Sequence, residues 1–200
     1  MTPHSDPDWR LLHPVPPDWE ARAGAYSARR RATLKHAVGA ADLREAMLST
    51  PLRRDRICVA VRGGEVVGCL SYRMDGRGAH APSPARFRAR YGPVAGSLRY
   101  LATEATLRRG RSRDLYVEGF AVSPAMRGHG IGTALLEWLG SEVVRHGKQG
   151  WRAEVVAGRQ APIRAYERAG AVALRTIALG PAGALVGASR MVLYRRAVAG

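Results

Sequence analysis

The sequence is short of several things, and each shortage excludes a class. It has two cysteines, Cys58 and Cys69, too few for a disulfide framework or a four-thiolate zinc site. It has no run of about 18 apolar residues, so no membrane-spanning helix is expected. Its first residues, Met1-Thr-Pro-His-Ser-Asp-Pro-Asp-Trp9, lack the basic and apolar stretches of a secretory signal. The histidines are scattered without ligand spacing, so no metal is expected. No internal repeat is present. Lysine is nearly missing: only Lys35 and Lys148 occur among 32 basic residues.

What is present suits a folded chain of 200 residues: 46% hydrophobic and 24% charged, which rules out wholesale disorder, collagen and coiled coil. The expectation is a soluble, cytoplasmic protein. Its net charge of +16 suggests nucleic acid at first sight. But the excess is nearly all arginine, in a chain rich in Ala, Gly and Val, as codon bias of a GC-rich genome produces. A solvated arginine surface is the preferred reading, and no zinc-finger or RNP pattern argues against it. A positive field still attracts phosphorylated cofactors.

Residues 1–18 carry five prolines and read as an irregular arm, with a weak strand near Trp9–His13. A single domain is expected over 19–196. A helix is expected from Trp19 to Ala37 with Asp18 as N-cap, and another over Ala41–Leu48. Ile57–Val61 and Val66–Tyr72 flank Gly63-Gly64 as a hairpin. That register sets Arg62 against Glu65 and Cys58 against Cys69, as free buried thiols. Residues 74–113 read as a loop and helical insertion. Within it Leu98, Leu101 and Ala105 share a helix face, and Arg109–Arg113 form a basic loop. The tail alternates strand, helix, strand, helix, strand, strand, an α/β (mixed α+β) arrangement.

The informative stretch follows the strand Leu115–Val122. Arg127-Gly128-His129-Gly130-Ile131-Gly132-Thr133 opens an amphipathic helix. Glycines let the backbone turn sharply, and free amides with the helix dipole favour a phosphate. The spacing is neither that of a dinucleotide fold nor a Walker loop.

Arg127-x-x-Gly130-x-Gly132 after such a strand resembles motif A of the GNAT superfamily of acetyl-CoA-dependent N-acyltransferases. Ile163-Arg-Ala-Tyr166-Glu167-Arg168-Ala169-Gly170 resembles their motif B. The resemblance covers about Ile57 to Tyr194. Gly158-Arg159-Gln160 departs from it where the family often has Asn. It implies a GNAT-like central mixed sheet flanked by helices, with acetyl-CoA as co-substrate. It implies that the acceptor, a small-molecule or peptide primary amine, attacks directly in a ternary complex.

By the same resemblance, Phe120, Ala121 and Val122 hold the thioester and pantetheine, and Arg127 to Thr133 cradle the pyrophosphate, with His129 solvent-facing. Tyr166 is the general acid for the departing thiolate. Glu118, placed on the face of Val122 by strand periodicity, is the candidate base or amine-binding group, with Tyr116 beside it. Glu154 is read as structural or substrate-contacting. Arg86, Arg88, Arg90 and Arg99 are weighed as an acidic-substrate surface, with a solvated helix face preferred. Many relatives dimerise, so a homodimer is an expectation of the resemblance. The competing readings are a non-catalytic acyl-CoA-binding regulatory module and a basic nucleic-acid-binding protein.

Overall fold

A computed structural model describes residues 8–107, 112–180, 183 and 187–198. Its strands are β1 (Arg10–Leu12), β2 (Ile57–Arg62), β3 (Glu65–Arg73), β4 (Asp114–Val122), β5 (Gly150–Val156), β6 (Val172–Ala178) and β7 (Arg190–Ala197). They form one sheet in the order β1-β2-β3-β4-β5-β7-β6. Every neighbouring pair is antiparallel except β4 and β5. The helices are α1 (Glu20–Arg30), α2 (Lys35–Val38), α3 (Ala41–Leu48), α4 (Pro84–Tyr91), α5 (Pro93–Leu107), α6 (Ile131–Arg145) and α7 (Gln160–Arg168). This is the mixed α/β sheet with flanking helices that the sequence implies. No helix among the described residues is long and apolar enough to cross a membrane.

The two faces of the sheet pack differently. Leu135, Leu136, Leu139 and Val143 of α6 close over Leu70, Tyr72, Leu115, Val117 and Trp151. On the other face Ala23 of α1 packs with Val59, Val61 and Cys69. A third cluster joins Leu34, Met47 and Leu48 to Phe87 and Leu107 of α4 and α5.

Several expectations change. The helix from Trp19 to Ala37 is broken. Arg31 leaves helical geometry at ψ 70, and a turn separates α1 from α2. Asp18 does not cap; Trp19 stands at the cap of α1 without a side-chain bond. Leu98 and Leu101 do share a face, but it points outward, 64% and 60% exposed. The weak strand expected near Trp9–His13 is present as β1, at the edge of the sheet. Pro3, Pro7 and Arg109–Arg111 lie outside the described residues.

The hairpin keeps Arg62 opposite Glu65, but Cys58 faces Leu70 and Val59 faces Cys69. A bulge near Ala60 inserts Val67 as an extra residue and shifts everything beyond it by one. Its carbonyl turns to accept from the Ser123 amide (2.8 Å) and the Tyr26 hydroxyl (3.0 Å), tying down the end of β4. Because side chains alternate along a strand, the one-residue shift sends the two thiols to opposite faces. Both are free and buried.

Candidate active site

The glycine-rich turn is built for close approach. Gly128 and Gly130 have φ of 85° and 78°, in the left-handed region that glycine enters without strain. Gly130 is the N-cap of α6, with no side chain closing the helix end. Ala134 makes the first bond back into the turn, to the Gly130 carbonyl. Among the described residues, none of the amides from Gly128 to Thr133 donates to a protein carbonyl. A row of unsatisfied N–H groups at a helix N-terminus suits a phosphate oxygen acceptor. Arg127 and His129 are exposed there.

Other glycines let this helix end sit against the sheet. A Cβ on Gly68 would lie 2.8 Å from the Ile131 side chain, and one on Gly132 would lie 3.4 Å from the Phe120 ring. An element outside the motif also holds the turn. The Trp9 indole donates to the His129 carbonyl at 3.1 Å, and Asp8 pairs with Arg62 beside it.

Next to the turn, β4 and β5 diverge. They pair only from Asp114–Gly150 to Tyr116–Arg152, so β4 beyond Tyr116 offers a free backbone edge toward β5. Phe120 and Val122 face the α6 side of that opening, and Ala121 faces the α1 side. Tyr166 of α7 stands across it. Its ring centroid lies 5.5 Å from Phe120 on β4 and 5.5 Å from Trp151 on β5. Burial, with the Tyr116 phenol adding to it, raises the Tyr166 pKa, so its hydroxyl stays protonated.

Glu118 is elsewhere. Gly119 pairs with Ser71 and Val117 with Tyr72, so Glu118 is the extra residue of a second bulge. This overturns the periodicity argument: Glu118 does not share the face of Val122. It lies on the α1 side, with its side chain 2% exposed. Its carboxylate accepts from Arg31 at 3.1 Å, from Arg73 Nε at 3.0 Å and Nη2 at 2.6 Å, and from the Ala79 amide at 2.9 Å. Gly78 crosses so close that a Cβ there would overlap the carboxylate. Burial alone would raise the Glu118 pKa. The Arg31 and Arg73 guanidiniums outweigh burial and hold it at about 2.

His80 completes this buried cluster, with Nε2 3.0 Å from the Ser27 hydroxyl and Nδ1 2.6 Å from the Leu48 carbonyl. Burial, then Arg31, lowers its pKa to about 3, so the ring is neutral. Sequence reasoning did not find Trp9, Arg31, Arg73 or His80. Each comes from a separate element, and nothing local to it signals the association.

The arginines considered for an acceptor lie away from the opening. Arg86 donates to the Thr50 carbonyl, Arg99 to the Ala37 carbonyl at 3.2 Å, and Arg90 lies over Tyr91. Among the described residues no group of His, Cys, Asp and Glu is placed to hold a metal.

No curated protein matches the chain. Solved structures do. An agmatine N-acetyltransferase superposes with a TM-score of 0.60 at 14% identity, over 96% of this chain and 100% of that one. Ard1 from Thermoplasma volcanium gives 0.57 at 17% identity, over 96% and 97%. A GNAT-family protein from Desulfovibrio desulfuricans gives 0.52 at 21%, over 96% and 98%. At these identities the likeness is one of fold. The family model for the acetyltransferase (GNAT) family matches residues 26–171, which include the turn, the diverging strands and the Tyr166 helix. The chain therefore belongs to the GNAT acetyltransferase family and is an acetyl-CoA-dependent acyltransferase.

Proposed function

We propose that the protein transfers an acetyl group from acetyl-CoA to a primary amine by direct attack, with both substrates bound together. The observation that carries this reading is the opening between β4 and β5. It begins beside the unsatisfied amides of Gly128–Thr133 and has Tyr166 across it. Acetyl-CoA supplies the activated thioester. The amides of Gly128 to Thr133, with Arg127, would hold its pyrophosphate. The free edge of β4 at Phe120, Ala121 and Val122 would hold its pantetheine amides. Tyr166 donates the proton to the departing sulfur; a phenol kept protonated by burial suits that role.

Glu118 is a positioning residue in this reading. A carboxylate near pKa 2, tied by four bonds, is too weak a base for an ammonium proton at neutral pH. It fixes the α1 end, the β3 end and the loop at Ala79 around the β4 bulge. The acceptor amine gives its proton to solvent. A regulatory acyl-CoA-binding module would need no buried phenol across the strand gap.

Calorimetry with acetyl-CoA, CoA and ATP tests the cofactor, and release of free CoA thiol from acetyl-CoA on adding amines tests transfer. Binding of acetyl-CoA and CoA but not ATP, with amine-dependent thiol release that Tyr166→Phe suppresses, is the expected result. Turnover unaffected by Tyr166→Phe would overturn the acid assignment. Tight binding with no transfer to any amine would favour the regulatory module. Steeply salt-dependent DNA binding indifferent to acetyl-CoA would favour the nucleic-acid reading.

A further inference from the structure

The helix α5 has two unlike sides, and its inner side is spent. A Cβ on Gly96 would lie 2.4 Å from the Phe87 carbonyl oxygen, so α4 crosses there backbone to backbone. Tyr100 sets its ring 5.9 Å from that of Phe87, and Thr103 and Leu107 are buried beside it. This close crossing fixes the roll of the helix. At about 100° per residue, Val94, Leu98, Leu101 and Ala105 then fall within about 60° of one another on the outer side. Val94, Leu98 and Leu101 are 73%, 64% and 60% exposed, and Ala105 is exposed as well. The first three make up half of the large exposed apolar side chains among the described residues.

The order of this stripe is the informative part. The four positions step by four, three and four residues, the a and d pattern of a helix that packs on another helix. The pattern is also symmetric about a point midway between Leu98 and Leu101. In an antiparallel pair, Leu98 of one copy meets Leu101 of the second, and Val94 meets Ala105. Two leucine layers fill the centre, and a larger residue over a small one closes each end without overpacking.

The flanks decide the occupant. Beside the seam stand Ala95, Ser97, Ala102 and Glu104, with no arginine, in a chain of net charge +16. Arg99 turns away, to the Ala37 carbonyl at 3.2 Å and over the Tyr91 ring at 4.8 Å. Arg86, Arg88 and Arg90 belong to α4, which meets the opposite side of α5. An anionic bilayer or an acidic helix finds no positive rim here, whereas a second copy can approach without arginine meeting arginine.

We infer that α5 is a self-association surface, on which two copies pair antiparallel through Val94, Leu98, Leu101 and Ala105 about a two-fold axis. Such an interface is isologous and closes on itself. The exposed Val and Leu side chains of two copies bury roughly 700 Å², short of the about 1,200–2,000 Å² of a stable complex, so the dimer is weak, with a Kd of about 10–100 µM. The inference rests on this helix alone and is independent of the transfer reaction.

Sedimentation velocity of the full chain across that concentration range reads the association. A reversible monomer–dimer equilibrium is expected. Added salt tightens it, because salt screens the repulsion between two strongly positive molecules and leaves the apolar seam. Leu98→Glu, at an exposed position, keeps the unfolding midpoint and weakens association by about tenfold or more. A mixture of Leu98→Glu and Leu101→Lys chains, whose opposite charges face one another, recovers the association that each variant lacks alone. Register is read by mild oxidation. Val94→Cys mixed with Ala105→Cys gives a covalent dimer, whereas Val94→Cys alone does not, its two copies lying about 16 Å apart along the axis. The native thiols are buried and do not compete.

A monomer at every concentration, a dimer that Leu98→Glu leaves intact, or one that salt weakens would overturn the inference. So would crosslinking of Val94→Cys alone as fast as the mixture, the mark of a parallel or unspecific contact.

Discussion

The two faces of β4 are opposites. Toward α6 and α7 the strand presents Leu115, Val117, Phe120 and Val122 to an apolar and aromatic packing in which Tyr166 stands. Toward α1 it presents Glu118 to Arg31, Arg73 and His80, a charged and hydrogen-bonded cluster buried just as deeply. One extra residue at the bulge separates the two arrangements. The comparison teaches that depth of burial alone does not identify a catalytic group. Tyr166 and Glu118 are both hidden, but Glu118 is committed to partners, whereas the phenol stands at an opening with a proton to give. Stability is thus assigned to the α1 face and turnover to the α7 face, and substitutions can break that division.

The largest effect is expected from Glu118→Ala. Arg31 already has Nε and Nη1 without partners among the described residues, and it would lose its carboxylate as well. Breaking a buried pair in this way costs about 3–5 kcal/mol, read as a lower urea midpoint. Acid titration sharpens the point. His80 takes a proton near 6.5 when unfolded but only near 3 in the fold. Its contribution to stability is complete above pH 6.5 and lost as pH falls toward 3. The contribution of Glu118, at about 2 against an ordinary 4.5, is complete above pH 4.5 and lost between 4.5 and 2. Glu118→Gln should abolish the lower limb of the stability profile and leave the upper one.

Tyr166→Phe should do the reverse. The ring packing remains, the unfolding midpoint holds, and kcat falls by roughly 100-fold or more with KM little changed. A smaller effect belongs to Trp9→Phe, which removes only the indole bond to the His129 carbonyl. A lost hydrogen bond of about 1 kcal/mol corresponds to roughly fivefold weaker CoA binding with kcat retained. Unaltered binding would show that the turn holds its shape without the arm.

The parts that were legible in the sequence are those written locally. Gly63-Gly64 between two β-branched runs marks the hairpin, and Gly128 and Gly130 mark a turn with free amides. Tyr166 on its helix was placed by motif and stands where the strands diverge. The bulges were not legible. Ile57-Cys-Val-Ala-Val61 is apolar at every position and buried on both faces, so no alternation reports an inserted residue. Counting by twos from Val122 back to Glu118 failed because the bulge between Val117 and Gly119 shifts the alternation by one residue. The role of Arg31 was equally silent, because its carboxylate partner lies 87 positions away.

The positions of the cysteines also bear on how the reaction is followed. Cys58 and Cys69 lie on opposite faces of the sheet, both fully enclosed, and burial raises the pKa of each thiol above its usual value. A chromogenic disulfide reagent reacts with thiolate, and the folded protein presents almost none. Its colour in a continuous assay therefore counts liberated coenzyme alone, and a slow rise without substrate would report unfolding.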